Sequence, residues 1–144
     1  MSQRVVFYDV PPEAREAQIV RLAEAAWQRE KKLLIYCGSG ASAQAVDEHL
    51  WTASDSSFLP HEIVAPGGSP KDDKARIVIV TTEEDPLGAD LLLLLEPASM
   101  SFATEFDVVM DWVDHRSPEL LVKSRERFRI WREHGVTPEH VKST

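Results

Sequence analysis

The chain has 144 residues, 43% of them hydrophobic, and a formal net charge of −8. That length suits one domain, residues 1–144, with one core and no need of a staple. A single cysteine, Cys37, excludes a disulfide framework, no apolar run reaches the ~18–20 residues that cross a bilayer, and the start lacks the layout of a signal peptide, so a cytoplasmic protein is expected.

Val5–Tyr8 reads as a first strand, apolar enough to be covered on both faces. Pro11 and Pro12 open a helix, where proline is tolerated in the first turn. Ile19, Leu22, Ala23, Ala26 and Trp27 then recur at helical spacing as one apolar stripe. Leu33–Cys37 is a second buried strand, and Gly38-Ser39-Gly40 turns the chain into a helix over about Ser42–Trp51. Ala75–Thr81, Leu91–Leu95 and Val108–Val113 complete five strands, with Pro66–Lys74 a surface loop. A last helix runs from about Ser117 to His134, with Ser117 as N-cap, Pro118 and Glu119 in its first turn, and Gly135 as its stop. Alternating strands and helices predict an α/β, Rossmann-like three-layer domain: a mostly parallel sheet with helices on both faces.

The negative net charge opposes a direct grip on nucleic acid, which needs several phosphates neutralised. Yet Arg116–Arg132 holds six basic residues and two acids, +4 in all, leaving −12 on the rest. A basic segment on an acidic body points to a local anionic target. At 100° per residue Leu120, Leu121, Phe128 and Trp131 share one arc, with Arg125 and Arg132 at its edge and Arg129 a little further round. One reading is a helix that packs its rings inward and snorkels its arginines. The other is a shallow apolar pocket with an arginine rim, suited to an acidic peptide ending in an aromatic residue. Contact of the same arginines and rings with single-stranded DNA is a further reading, which the charge of the body opposes.

Gly38–Ala43 matches G-x-G-x-x-A between a strand and a helix, the setting of a dinucleotide turn. It follows the second strand, however, and no acid ends the next strand about 20 residues on; Asp47 and Asp55 fall elsewhere. A tight structural turn and a small nucleotide-binding enzyme both fit. Cys37 is read as an inert buried thiol, since position 43 is alanine and nothing fixes a histidine base beside it. The five histidines show no metal-ligand spacing, and no metal or cofactor is expected. Trp51 and Phe58 flank a polar loop, where large aromatics either plug a core or anchor a partner.

Three blocks then combine: VVFYDV at Val5–Val10, DEHLWTASDSSFLPH at Asp47–His61, and RERFRIWREHGVTP at Arg125–Pro138. In order and spacing they resemble the chi subunit family of bacterial DNA polymerase III, over nearly the whole chain. The resemblance implies a Rossmann-like accessory subunit without enzymatic activity. It would bridge the clamp loader to single-strand DNA-binding protein by holding that protein's acidic, phenylalanine-ended C-terminal tail. Carried over by motif, Arg125, Phe128 and Arg129 are the expected tail contacts, with Val113 lining the same pocket and Lys123 and Arg132 adding charge. Trp51, Phe58 and Pro60 fall in the segment the resemblance associates with the psi subunit and a helicase partner.

Overall fold

A computed structural model describes residues 3–52 and 59–142. Among them, seven strands form one sheet: β1 (Arg4–Asp9), β2 (Leu33–Tyr36), β3 (Glu62–Ile63), β4 (Ile77–Val80), β5 (Leu91–Leu94), β6 (Val108–Val113) and β7 (Glu139–Lys142). Their order is β3-β4-β2-β5-β6-β1-β7, and every pairing is parallel. The helices are α1 (Arg15–Gln28), α2 (Gly40–Thr52), the short α3 (Met100–Ala103) and α4 (Pro118–Glu133). None of the described helices is long and apolar enough to cross a membrane.

The central strands β2, β4 and β5 read LLIY, IVIV and LLLL because both their faces are covered. Leu33, Ile35, Ile77, Ile79 and Leu93 meet Ile19, Ala23 and Ala26 of α1 and Ala43, Val46 and Leu50 of α2. On the other face Leu34, Val78, Leu92 and Leu94 meet Phe102 and Ala103 of α3, Phe106, and Trp131 of α4. The connections through α1 and α2 step toward the β3 edge, whereas those through α3 and α4 step toward the β7 edge. Right-handed crossovers in opposite directions put the two helix pairs on opposite faces.

The expected α/β class, its five strands and its three long helices are all present, with β3, α3 and β7 in addition. Both added strands lie at sheet edges and lack an apolar run; β7 reads EHVK and is exposed along its length. Such strands carry little signal in hydrophobic periodicity.

Helix α4 is fixed at both ends and in its middle. The Ser117 hydroxyl accepts from Leu120 N–H at 3.1 Å, and Gly135, at φ +85°, closes the helix in a conformation that a side chain disfavours. Trp131 is only 2% exposed. One turn back, Arg127 donates from both fork nitrogens to Asp111 of β6, at 2.8 and 3.0 Å. Their side chains are 18% and 3% exposed. Ser124, also buried, accepts from Asp114 N–H at 3.1 Å and donates to Leu121 C=O at 2.7 Å.

Removing one member of a buried pair strands the other, at a typical cost of ~3–5 kcal/mol. Arg127→Ala is therefore expected to lower unfolding free energy by about 3 kcal/mol in urea titration. Combining Arg127→Met with Asp111→Leu should restore most of that loss. A single variant as stable as the parent would mean that the pair does not hold α4.

Candidate functional site

The exposed edge of α4 overhangs a pocket of about 240 Å³ at the β7 side of the sheet. Phe7 of β1 and Phe128 of α4 form its apolar floor, with ring centroids 5.2 Å apart and planes tilted by 58°. Val113 at the end of β6, Ser124 and Arg125 add to the wall, and Asp9, His115 and His140 close it. Phe128 is half-buried, so its ring serves the core and faces the pocket together.

The geometry of α4 sorts its charges. At 100° per residue Arg125, Arg129 and Arg132 fall within an arc of about 60°. Glu119, Glu126 and Glu133 cluster about 100° further round, on the outer face. Arg125, at one end of the arginine arc, lines the pocket, and none of the three acids does. Arg125 and Arg132 have exposed side chains and no ion-pair partner among the described residues. Arg129, 70% exposed, lies 3.8 Å from an equally exposed Glu133, a contact worth little in water. Lys123 is exposed about 160° from Arg125, away from the pocket. The structure thus gathers Val113, Arg125 and Phe128 at one pocket; Arg129 and Arg132 share the arc of Arg125 without lining the pocket, and Lys123 stands apart. Two other cations of the basic stretch are spent internally, Arg127 on Asp111 and Arg116 on Asp114 at 2.7 Å.

Sequence reading passed over Asp9, His115 and His140. His115 Nε2 lies 2.6 Å from one Asp9 carboxylate oxygen, and His140 Nε2 lies 2.8 Å from the other. Because a carboxylate only accepts, both Nε2 atoms carry hydrogen. Burial pushes the Asp9 carboxyl up, but the hydrogen bonds from His140 and His115 more than offset this and hold it below its ordinary range. The trio draws on β1, the loop after β6, and β7. The unrecognised β7 explains the oversight.

A second cavity, of about 520 Å³, lies at the opposite edge of the sheet near the starts of β3 and β4. It is lined by Trp51 and Pro60, along with Trp27, His61 and Arg76. Arg76 sits 3.7 Å over the Trp27 ring. Trp51, at the end of α2, is 48% exposed and packs 4.4 Å from the His61 ring with the planes tilted by 47°. The His61 imidazole is itself buried, with Nδ1 2.7 Å from Leu59 C=O and Nε2 3.0 Å from an Asp47 oxygen. Trp51 therefore presents its ring at the surface and does not plug the core. Phe58, expected at the same surface, and Asp55 lie outside the described residues.

The Gly38–Ala43 turn leads into α2, where the Ser39 hydroxyl already accepts from Ser42 N–H at 3.2 Å. A side chain at Gly38 would stand 2.8 Å from Glu96 Cγ, so it would have to displace the Glu96 side chain. That neighbour brings a carboxylate to the turn, the wrong charge for a pyrophosphate. Cys37 is fully buried, and its thiol is pushed up to about 11 chiefly by burial. Among the described residues no group of His, Cys, Asp or Glu is arranged to hold a metal ion.

Residues 1–139 match the protein family described as DNA polymerase III chi subunit, HolC. The chain is 30% identical over 135 residues to DNA polymerase III subunit chi of Pseudomonas aeruginosa, covering 92% of this chain and 91% of that protein. It is 29% identical over 122 residues to the Escherichia coli K12 subunit, covering 85% and 81%, and 31% identical over 115 residues to that of Haemophilus influenzae, covering 79% and 77%.

A thiol pushed up to about 11 is protonated near neutrality, and thiols react as thiolates. Iodoacetamide at pH 7.5 is thus expected to leave Cys37 unmodified in the folded protein and to label it fully in denaturant, as read by mass spectrometry. Rapid labelling of the native state would overturn the assignment of Cys37 as an inert core residue.

Proposed function

The chain belongs to the DNA polymerase III chi subunit family of replication accessory subunits, and we propose that it works as a non-catalytic cytoplasmic adaptor. In this reading the α4 pocket holds the acidic C-terminal tail of single-strand DNA-binding protein. The Trp51 surface holds a psi-like clamp-loader subunit or, in its place, a helicase. The observation that carries the proposal is an apolar pocket floored by Phe7 and Phe128 directly beside an arc of solvent-facing arginines.

The chemistry of each part fits a short acidic peptide with an aromatic end. A ring entering the pocket meets Phe128 and Phe7 and leaves water. Carboxylates along the peptide meet guanidinium forks that can each donate two hydrogen bonds. Arg125 and Arg132, about seven residues or roughly 10 Å apart along the helix, can engage different carboxylates of one extended chain. Glu119, Glu126 and Glu133 face elsewhere, so they repel the peptide weakly and steer it to the arginine side.

The second surface stands clear of the first. Four inter-strand steps separate β4 from β1, about 19 Å at the usual ~4.8 Å spacing. Two partners can occupy such sites without touching, which is what bridging requires.

A fluorescent acidic peptide ending in phenylalanine should bind with a Kd in the micromolar range, about −8 kcal/mol. Phe128→Ala and Arg129→Glu should each weaken it roughly tenfold or more, and raising salt from 50 to 200 mM should weaken it further. Lys123→Glu, on the far side of the helix, should cost less than about twofold. Equal binding by the parent, Phe128→Ala and Arg129→Glu would eliminate the pocket.

Trp51→Ala should leave peptide affinity unchanged while reducing recovery of the clamp-loader partner in co-purification from cells. Loss of both together would mean that the two surfaces are not independent.

A further inference from the structure

We propose that His115 and His140 are carboxylate-binding groups of the α4 pocket, held in orientation by Asp9, so that tail capture tightens as pH falls. The proposal rests on the reading of that pocket as a site for an acidic peptide.

A carboxylate in the wall of a site meant for carboxylates repels its own ligand. Asp9 stands in that wall. It is tolerable only if its charge is answered, and the two imidazoles at 2.6 and 2.8 Å are the groups that answer it. Both rings spend their Nε2 hydrogens on Asp9, one on each oxygen. A proton taken up by either ring therefore enters at Nδ1, the nitrogen that Asp9 leaves unclaimed. Each ring then becomes a cation with a second donor, fixed in orientation by the first.

The charge of the trio accordingly swings from −1 with both rings neutral to +1 with both protonated. Histidine is the side chain whose charge ordinarily changes between pH 5 and 8. The other groups around the trio hold their charge over that range. From α4 these are Arg125, at the pocket, and Arg127, committed to Asp111. From β7 there is Lys142, in register with Asp9. Beside β6, Asp114 is committed to Arg116. The peptide's carboxylates also stay ionised above pH 6. Binding of an anionic tail and protonation of His115 and His140 must then favour one another, and the coupling is reciprocal.

The experiment measures the Kd of a phenylalanine-ended acidic peptide for the whole protein from pH 8.0 to 6.0 at fixed ionic strength. The expected result is a roughly tenfold tightening toward pH 6, within the usual range for coupled events. The double variant His115→Gln, His140→Gln should lose the pH dependence, its affinity no longer rising between pH 8.0 and 6.0. A readout on the unmodified protein guards against a misfolded variant: nuclear magnetic resonance titration of the imidazoles should show both rings protonating at higher pH when peptide is bound. A parent affinity flat across the range, or ring titrations unmoved by peptide, overturns the histidine proposal and leaves the arginine pocket standing. No binding at any pH removes the pocket and the proposal together.

Discussion

The buried ion pair between Arg127 and Asp111 decides how α4 lies on the sheet, and the candidate site follows from it. Turning Arg127 toward β6 fixes the rotation of the whole helix. With Arg127 inward, Trp131 and Ser124 fall on the core side and Phe128 on the flank, while Arg125 is carried to the pocket and Arg129 and Arg132 to the same exposed arc of the helix. A hydrophobic stripe alone would tolerate some rolling of the helix about its axis. A two-pronged hydrogen bond to a buried carboxylate does not, because any roll strands a charge away from water. The basic stretch thus has two classes of arginine: Arg116 and Arg127 serve the architecture, and those between and beyond them face solvent.

Charge segregation on this one helix resolves how an acidic protein can present a cationic site. The body repels anions at long range, yet within a Debye length the local field near the arginine arc dominates. Glutamates at positions 119, 126 and 133 occupy the outward face, and Lys123 stands alone beyond them, so the cluster of positive charge falls on the side bordering Phe128. A ligand must be small or extended to exploit so narrow a strip. A duplex nucleic acid, wide and uniformly charged, would overlap the acidic neighbours.

Much of this was legible in the residues, and what escaped did so for physical reasons. The buried strands announced themselves through runs such as Ile77–Val80, and α4 through its cap, proline and terminal glycine. Phe128 and the arginine edge followed from 100° periodicity. Periodicity sets Arg127 about 160° from Arg125, on the side of Trp131 and Ser124, but it could not name the partner there, Asp111 on a strand 16 positions earlier. Nor could it find Asp9, His115 and His140, which come together through β1–β6 and β1–β7 pairing across more than a hundred residues. Strand β7, polar and edge-on, has no local signature, and with it went one wall of the pocket.

The placement of β1 has a consequence for biosynthesis. Its two neighbours are β6 and β7, so Arg4 waits for Val108 before it gains a ladder partner. At the ~5–20 residues per second of translation, that is an interval of roughly 5–20 s in which an apolar segment with open edges rides on the ribosome. Late, long-range closure of this kind slows folding and exposes the nascent chain to aggregation. It also means that the pocket, assembled from β1, β6, α4 and β7, cannot exist in a half-made polypeptide. Only a finished and correctly closed molecule can present it.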